Sequence, residues 1–169
     1  QREAIESIEE GIADNKRRML VQMATGTGKT RMAGAETYRL LKSGYANRGL
    51  FLVDRNNLGR QAESAFKNYD VGPAMKMSDV YIIDRVENGV FPENADIVVS
   101  TLQSMYSLLE DHDEIDIPQD AFDFVISDES HRSIYGDWRV VLNHFDALQL
   151  GLTATPATHT LSYFNENWV

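Results

Sequence analysis

The sequence predicts one three-layer α/β domain, a mostly parallel central sheet flanked by helices, and three observations predict it. Short apolar runs recur at residues 19–23, 50–53, 80–83, 97–99, 124–126 and 148–152, separated by stretches that can form helices. Each run is continuously apolar rather than alternating, as expected of strands covered by helices on both faces. The 169 residues, 43% of them hydrophobic, can bury one core and need no second domain.

In chain order, the expected helices are residues 3–14, 29–43, 58–69, 103–110 and 138–145. The first strand leads directly into Met23-Ala24-Thr25-Gly26-Thr27-Gly28-Lys29-Thr30, and residues 31–42 have helical composition and spacing. Asp54 ends the second strand, and the polar Arg55-Asn56-Asn57 that follows is placed for a functional loop at the carboxyl edge. Residues 111–120, rich in Asp and closed by Pro118, read as an exposed loop. The chain opens directly in a helix-like segment and stops soon after Asn165-Glu166-Asn167. It therefore reads as a piece of a larger, multidomain protein.

Composition narrows the chemistry. Cysteine is absent, which removes disulfides and thiolate metal sites and leaves carboxylates, hydroxyls and phosphates as metal ligands. No apolar run approaches the roughly 20 residues that span a bilayer, and no signal-peptide pattern opens the chain, so a cytoplasmic protein without membrane partners is expected. The formal charge of −10 argues against bulk electrostatic binding of nucleic acid, so any such contact must be local.

The octet at 23–30 joins a buried strand to a helix. In that geometry successive backbone N–H groups and the positive helix end converge on a phosphate. Gly26 and Gly28 permit close approach, with Thr27 between them. Lys29 would set an ammonium between the β- and γ-phosphates of a nucleotide, and the Thr30 hydroxyl would coordinate the Mg²⁺ that bridges them. The general pattern G-x-x-x-x-G-K-[ST] wants glycine where this chain has Met23, and Gly26 supplies flexibility nearer the phosphates.

A second element ends the strand at 124–126. Asp128 and Glu129 follow Ser127 as adjacent carboxylates, one placed to hold Mg²⁺ and the other to orient and deprotonate a water attacking the γ-phosphate. His131 is better suited to a hydrogen-bonding link than to a metal site. A third element, Gly151-Leu152-Thr153-Ala154-Thr155-Pro156, ends a strand in two hydroxyls. Alternation along an extended chain would turn Thr153 and Thr155 to the same side, towards residues 128–131.

Taken in order, residues 23–30, 128–131 and 153–156 resemble motifs I, II and III of superfamily 2 helicases and translocases. The segments Leu50-Phe51-Leu52-Val53-Asp54-Arg55, Ser100-Thr101-Leu102-Gln103 and His131-Arg132-Ser133-Ile134-Tyr135-Gly136-Asp137-Trp138-Arg139 resemble more narrowly the motor (R) subunits of type I restriction enzymes. Ser130 departs from the Cys common there, at a position that supplies no phosphate or metal ligand in the family. The resemblance covers nearly the whole chain and implies the first RecA-like P-loop NTPase domain of such a subunit.

The resemblance implies ATP and Mg²⁺ as cofactors and ATP-driven translocation on double-stranded DNA as the activity. It implies a second RecA-like domain that supplies the arginine finger and a nuclease domain in the same polypeptide. Modification and specificity subunits would complete the restriction complex. It gives Gln1 an adenine-reading role, and places Arg55 and Asn56, with Ser100, Thr101 and Gln103, against the DNA backbone. Arg55 could equally pair with a surface acid, and Ser100 or Thr101 could simply cap a helix. Two other functions fit the ATP elements: a superfamily 2 DNA or RNA helicase of repair or RNA metabolism, and a non-hydrolysing nucleotide-dependent interaction module.

Overall fold

The computed structural model describes residues 1–111, 116–128 and 137–164. Six parallel strands form the central sheet: β1 (Arg18–Gln22), β2 (Gly49–Val53), β5 (Ile83–Arg85), β6 (Ile97–Thr101), β7 (Phe124–Asp128) and β8 (Leu148–Thr153). Their order is β1-β8-β7-β2-β6-β5. The chain thus leaves the edge strand β1, crosses to β2, runs out to the far edge at β5, steps back inward to β6, and returns to fill the gap with β7 and β8. That gap opens the crevice at the carboxyl edge in which α/β sheets bind ligands.

The continuous apolar runs are explained by the layers. In β1, Met19 and Val21 face a core shared with Ile8, Met32, Ala33 and Phe66 of α1 (Arg2–Ala13), α2 (Lys29–Lys42) and α3 (Asn56–Lys67). Leu20 between them faces the opposite core, with Met105, Leu108, Val141 and Phe164. That second layer holds α4 (Leu102–Glu110), α5 (Asp137–His144) and α6 (Thr158–Tyr163). β2 divides the same way, Phe51 and Val53 to one face and Leu50 and Leu52 to the other. A strand with helices above and below has no face to spare for polar side chains.

The exception on β8 is a satisfied one. Gln149 is buried, donates through Nε2 to the Leu142 carbonyl at 2.7 Å, and accepts from the Tyr163 hydroxyl at 2.7 Å.

Three elements differ from the sequence expectation, one of them α6, a helix the sequence reading did not expect. Residues 80–82 do not enter the sheet: a single 3-10 turn, Met77–Asp79, precedes them, and Val80 and Ile82 are about half exposed. The strand starts only at Ile83, where pairing with Ile97 begins, and it lies at the sheet edge, so apolar content alone overstated its burial. Before it, a short hairpin pairs β3 (Asp70–Gly72) with β4 (Met75–Lys76), fastened by Lys76 Nζ donating to Asp70 Oδ1 at 2.6 Å.

Candidate functional site

Each candidate element sits at the carboxyl end of a strand, and sheet register decides which ones meet. Gln22 at the end of β1 lies opposite Thr153 at the end of β8, and Leu152 lies opposite Asp128 at the end of β7. The phosphate-loop, the Asp128 carboxylate and the Thr153 hydroxyl therefore occupy three adjacent strand ends although the sequence separates them widely.

The loop is held by hydrogen bonds of its own backbone and of Thr27. The Met23 N–H donates to the Thr153 carbonyl at 2.9 Å, extending the ladder one residue past β1. Met23 packs its side chain against the core, which is how a residue other than glycine is accommodated there. Thr27 closes the turn, donating to the Ala24 carbonyl through N–H at 3.2 Å and through its hydroxyl at 2.6 Å. Gly26 and Gly28 take φ of +79° and +88°, values costly for any residue with a Cβ. Gly28 then starts α2, its carbonyl accepting from Met32 N–H at 2.9 Å.

Lys29 opens α2 and is 9% exposed, with its Nζ 3.9 Å from Asp128 Oδ1. Asp128, 20% exposed, is reachable from the crevice. Thr30, the next residue of α2, is half-buried beside it in sequence. Glu129 and His131 lie outside the described residues. Gln1 is brought to the loop from the start of α1: its Nε2 donates to the Thr27 carbonyl at 2.9 Å. Its side chain fills the space a Cβ on Gly28 would need.

The expected common orientation of Thr153 and Thr155 does not hold, because β8 ends at Thr153 and the alternation ends with it. Thr153 is fully buried and its hydroxyl accepts from the Thr155 N–H at 3.2 Å, while the Thr155 side chain is exposed.

The five residues expected at DNA separate into three environments. Asn56 and Gln103, in the first turns of α3 and α4, line a groove of about 520 Å³ together with Arg60, Asn88, Ser107 and Asp111. Arg55 is exposed beside the groove with its Nε 3.7 Å from Asp54 Oδ2. Ser100 is fully buried and donates to the Thr101 carbonyl at 2.8 Å. Thr101 caps α4, its hydroxyl accepting from Ser104 N–H at 3.0 Å. The side chains of Ser100 and Thr101 are thus committed to the fold, and the capping reading of Thr101 is the one the geometry matches.

Comparison with known proteins places this architecture. Residues 1–158 match the model of the family described as "Type III restriction enzyme, res subunit". The chain belongs to that family. Relatives of this res-subunit domain include the type I restriction enzyme EcoKI endonuclease subunit of Escherichia coli strain K12, 34% identical over 98% of this chain and 16% of that protein. The EcoAI endonuclease subunit of E. coli is 35% identical over 98% of this chain and 20% of its own length. The chain therefore spans about a fifth or less of these relatives. Among solved structures, the Pyrococcus furiosus Hef helicase domain superposes with a TM-score of 0.69 at 20% identity, covering 96% of this chain and 35% of that one. The res-subunit domain thus has the RecA-like fold expected of it, and its similarity to type I restriction subunits is as the motif segments implied.

Sequence reasoning passed over Arg60 and Asn88, which complete the groove. A basic residue five positions after Arg55 on an exposed helix was a legible signal, whereas Asn88 enters only through the isolated bridge between Glu87 and Val90.

Proposed function

We propose that this domain binds and hydrolyses ATP to drive movement along double-stranded DNA, as the first motor domain of a restriction enzyme R subunit. The observation that carries the proposal is the approach of Lys29 Nζ to Asp128 Oδ1, 3.9 Å apart at neighbouring strand ends beside a glycine-shaped loop. A cation and a carboxylate brought together there, at the mouth of a glycine-shaped loop that leads into a helix N-terminus, are the groups a triphosphate and its metal require.

In this reading the N–H groups of residues 26–30 and the start of α2 surround the β-phosphate, and Lys29 reaches between the β- and γ-phosphates. Among the described residues no cluster of three or more His, Asp or Glu forms a metal cage. The donors available are instead the Thr30 hydroxyl and the Asp128 carboxylate, which fit Mg²⁺, an ion that keeps waters and phosphate oxygens as most of its shell. Mg²⁺ there would offset charge developing on the phosphate oxygens. Glu129, next in sequence after Asp128, takes a proton from the attacking water as the bond to the γ-phosphorus forms and the β–γ bridging bond breaks, giving ADP and phosphate. His131, Thr153 and Thr155 then form the link that reports phosphate loss to the rest of the domain.

The groove of Asn56, Arg60 and Gln103 opens on the same carboxyl edge, so nucleotide and DNA share one side of the sheet. Contacts there by the Asn56 and Gln103 amides and the Arg60 guanidinium would grip a backbone without reading bases. The remaining parts of the machine belong to this proposal as well: a second RecA-like domain contributing the arginine finger, a nuclease domain, and modification and specificity subunits. The test is Glu129→Gln in the full-length protein under single-turnover conditions with DNA. Hydrolysis falls at least about a hundredfold with ATP binding retained; hydrolysis at the unsubstituted rate would overturn the catalytic reading in favour of a passive nucleotide-binding module.

A further inference from the structure

The triphosphate site described above accounts for the phosphates of ATP, and the outer surface of α2 supplies a wall for its nucleoside. Glycine inside a helix is unfavourable relative to alanine, yet Gly34 occupies the second turn of α2. Tyr69 explains it. A Cβ at position 34 would lie 3.2 Å from Tyr69 Cδ2 and 3.5 Å from Cγ, so the glycine seats the ring against the helix that begins at the phosphate-loop.

From that seat Tyr69 lines three concavities, two of which reach the loop or Gln1. One, of about 510 Å³, it shares with Gly28, Thr30 and Arg31. The other, of about 580 Å³, it shares with Gln1, Ile5, Arg31 and Ala35. Because Arg31 and Tyr69 belong to both, they make the surface continuous from the Thr30 side of the loop to the Gln1 amide. The second concavity pairs the small Ala35 with the larger apolar Ile5 and Tyr69, and Arg2, Glu6 and Arg39 complete its lining, a mixed surface on which a flat polar ring can rest.

The chemistry of the rim favours a base with an exocyclic amine. Gln1 spends its Nε2 on the Thr27 carbonyl, which leaves its Oε1 as an acceptor at the mouth. Arg31 is exposed and can lay its guanidinium plane on an aromatic ring.

We infer that Tyr69 and Arg31 form the nucleobase platform of this site, holding the adenine of ATP by stacking over Ala35 with the Gln1 carbonyl oxygen towards its amine. The inference rests on the ATP-binding reading of residues 23–30, and its test separates the two. Affinities for ATP and for inorganic tripolyphosphate, each with Mg²⁺, are measured by calorimetry on the full-length protein and its variants. Tyr69→Ala is expected to weaken ATP about tenfold, the size of one lost base–aromatic stack, with tripolyphosphate affinity within about twofold of wild type. Tyr69→Phe keeps the ring and retains ATP affinity. Arg31→Ala, at an exposed position that carries no core contact, weakens ATP severalfold and serves if Tyr69→Ala fails to fold. Equal losses for ATP and tripolyphosphate would show that these side chains only support α2, and unchanged ATP affinity would show no platform; either result overturns the inference. Unchanged ATP affinity in Lys29→Ala would instead sink the ATP-binding reading beneath it.

Discussion

The ammonium of Lys29 and the carboxylate of Asp128 face each other across 3.9 Å, although 98 residues of chain lie between them. Register produces the encounter: β1 pairs β8, β8 pairs β7, and the three strands end level. On the proposed reading, Asp128 would answer to the metal and Lys29 to the phosphates. Asp128→Ala is therefore expected to lower Mg²⁺-dependent ATP turnover at least about a hundredfold, while ATP binding measured with the metal chelated is unchanged. Steady-state hydrolysis and metal-free nucleotide titration check the two halves; weakened metal-free binding would mean that Asp128 acts on Lys29 rather than on the metal.

The groove gives a prediction about DNA. Arg60 is the cation on α3 that lines it, and Asn56 and Gln103 are neutral donors. Arg60→Ala should weaken DNA binding uniformly across sequences and reduce the slope of log affinity against log salt by about one. Asn56→Ala should weaken binding with no change in slope. Ser100→Ala should leave DNA binding untouched, because its hydroxyl is buried and bonded to the Thr101 carbonyl.

A pH dependence follows from Glu36. It is fully buried on α2, and neither carboxylate oxygen has a hydrogen-bond partner among the described residues. Burial, reinforced by the nearby Glu9 and opposed by Arg39, raises its pKa from 4.5 to about 7. The folded state therefore holds a proton that the unfolded state releases above pH 4.5, so this stabilisation is complete below that pH and fades as pH rises through 7. Glu36→Leu removes the term. The stability of Glu36→Leu relative to wild type should rise by about 3 kcal/mol between pH 5 and 8, as read by urea unfolding. A gap independent of pH would show that Glu36 finds a partner when ionised.

Arg48 is a fold-holding cation rather than a ligand group. Its guanidinium donates to the carbonyls of Ala95 and Pro92, each at 2.8 Å, and lies 5.1 and 5.2 Å from the ring centres of Phe91 and Phe122. Arg48→Ala should cost about 3 kcal/mol in denaturant unfolding, since it strands two carbonyls and removes two ring contacts. Lysine should recover only part of this, lacking the planar fork that reaches both carbonyls. A loss below about 1 kcal/mol would contradict this role.

What the sequence revealed and what it withheld divide along physical lines. The strand ends at Asp128 and Thr153 were legible because buried parallel strands must be apolar throughout, and a polar residue closing such a run stands out. The phosphate-loop was legible because few residues other than glycine tolerate the φ values of Gly26 and Gly28. Residues 80–82 misled because an edge position and a buried one look alike in an apolar run. The burial of Ser100 was not legible, because a hydroxyl in a motif position carries no mark of the direction it faces. Neither the bond from Gln1 to the Thr27 carbonyl nor the seat of Tyr69 on Gly34 could be read, since both join segments distant in sequence. Glu129 and His131 lie outside the described residues, and their roles rest on the motif and on Asp128 beside them.

The central claim is that residues 23–30 and Asp128 form an ATP-hydrolysing centre that drives movement on DNA. The most direct test compares DNA-stimulated ATP turnover by the full-length protein with that of Lys29→Ala and with that of the isolated 169-residue domain. The full-length protein is expected to turn over rapidly with DNA, Lys29→Ala at least about a hundredfold more slowly, and the isolated domain slowly and with little response to DNA, because the finger that completes the site is expected from a second motor domain. Turnover by Lys29→Ala at the wild-type rate would contradict the account, as would robust DNA-stimulated turnover by the isolated domain.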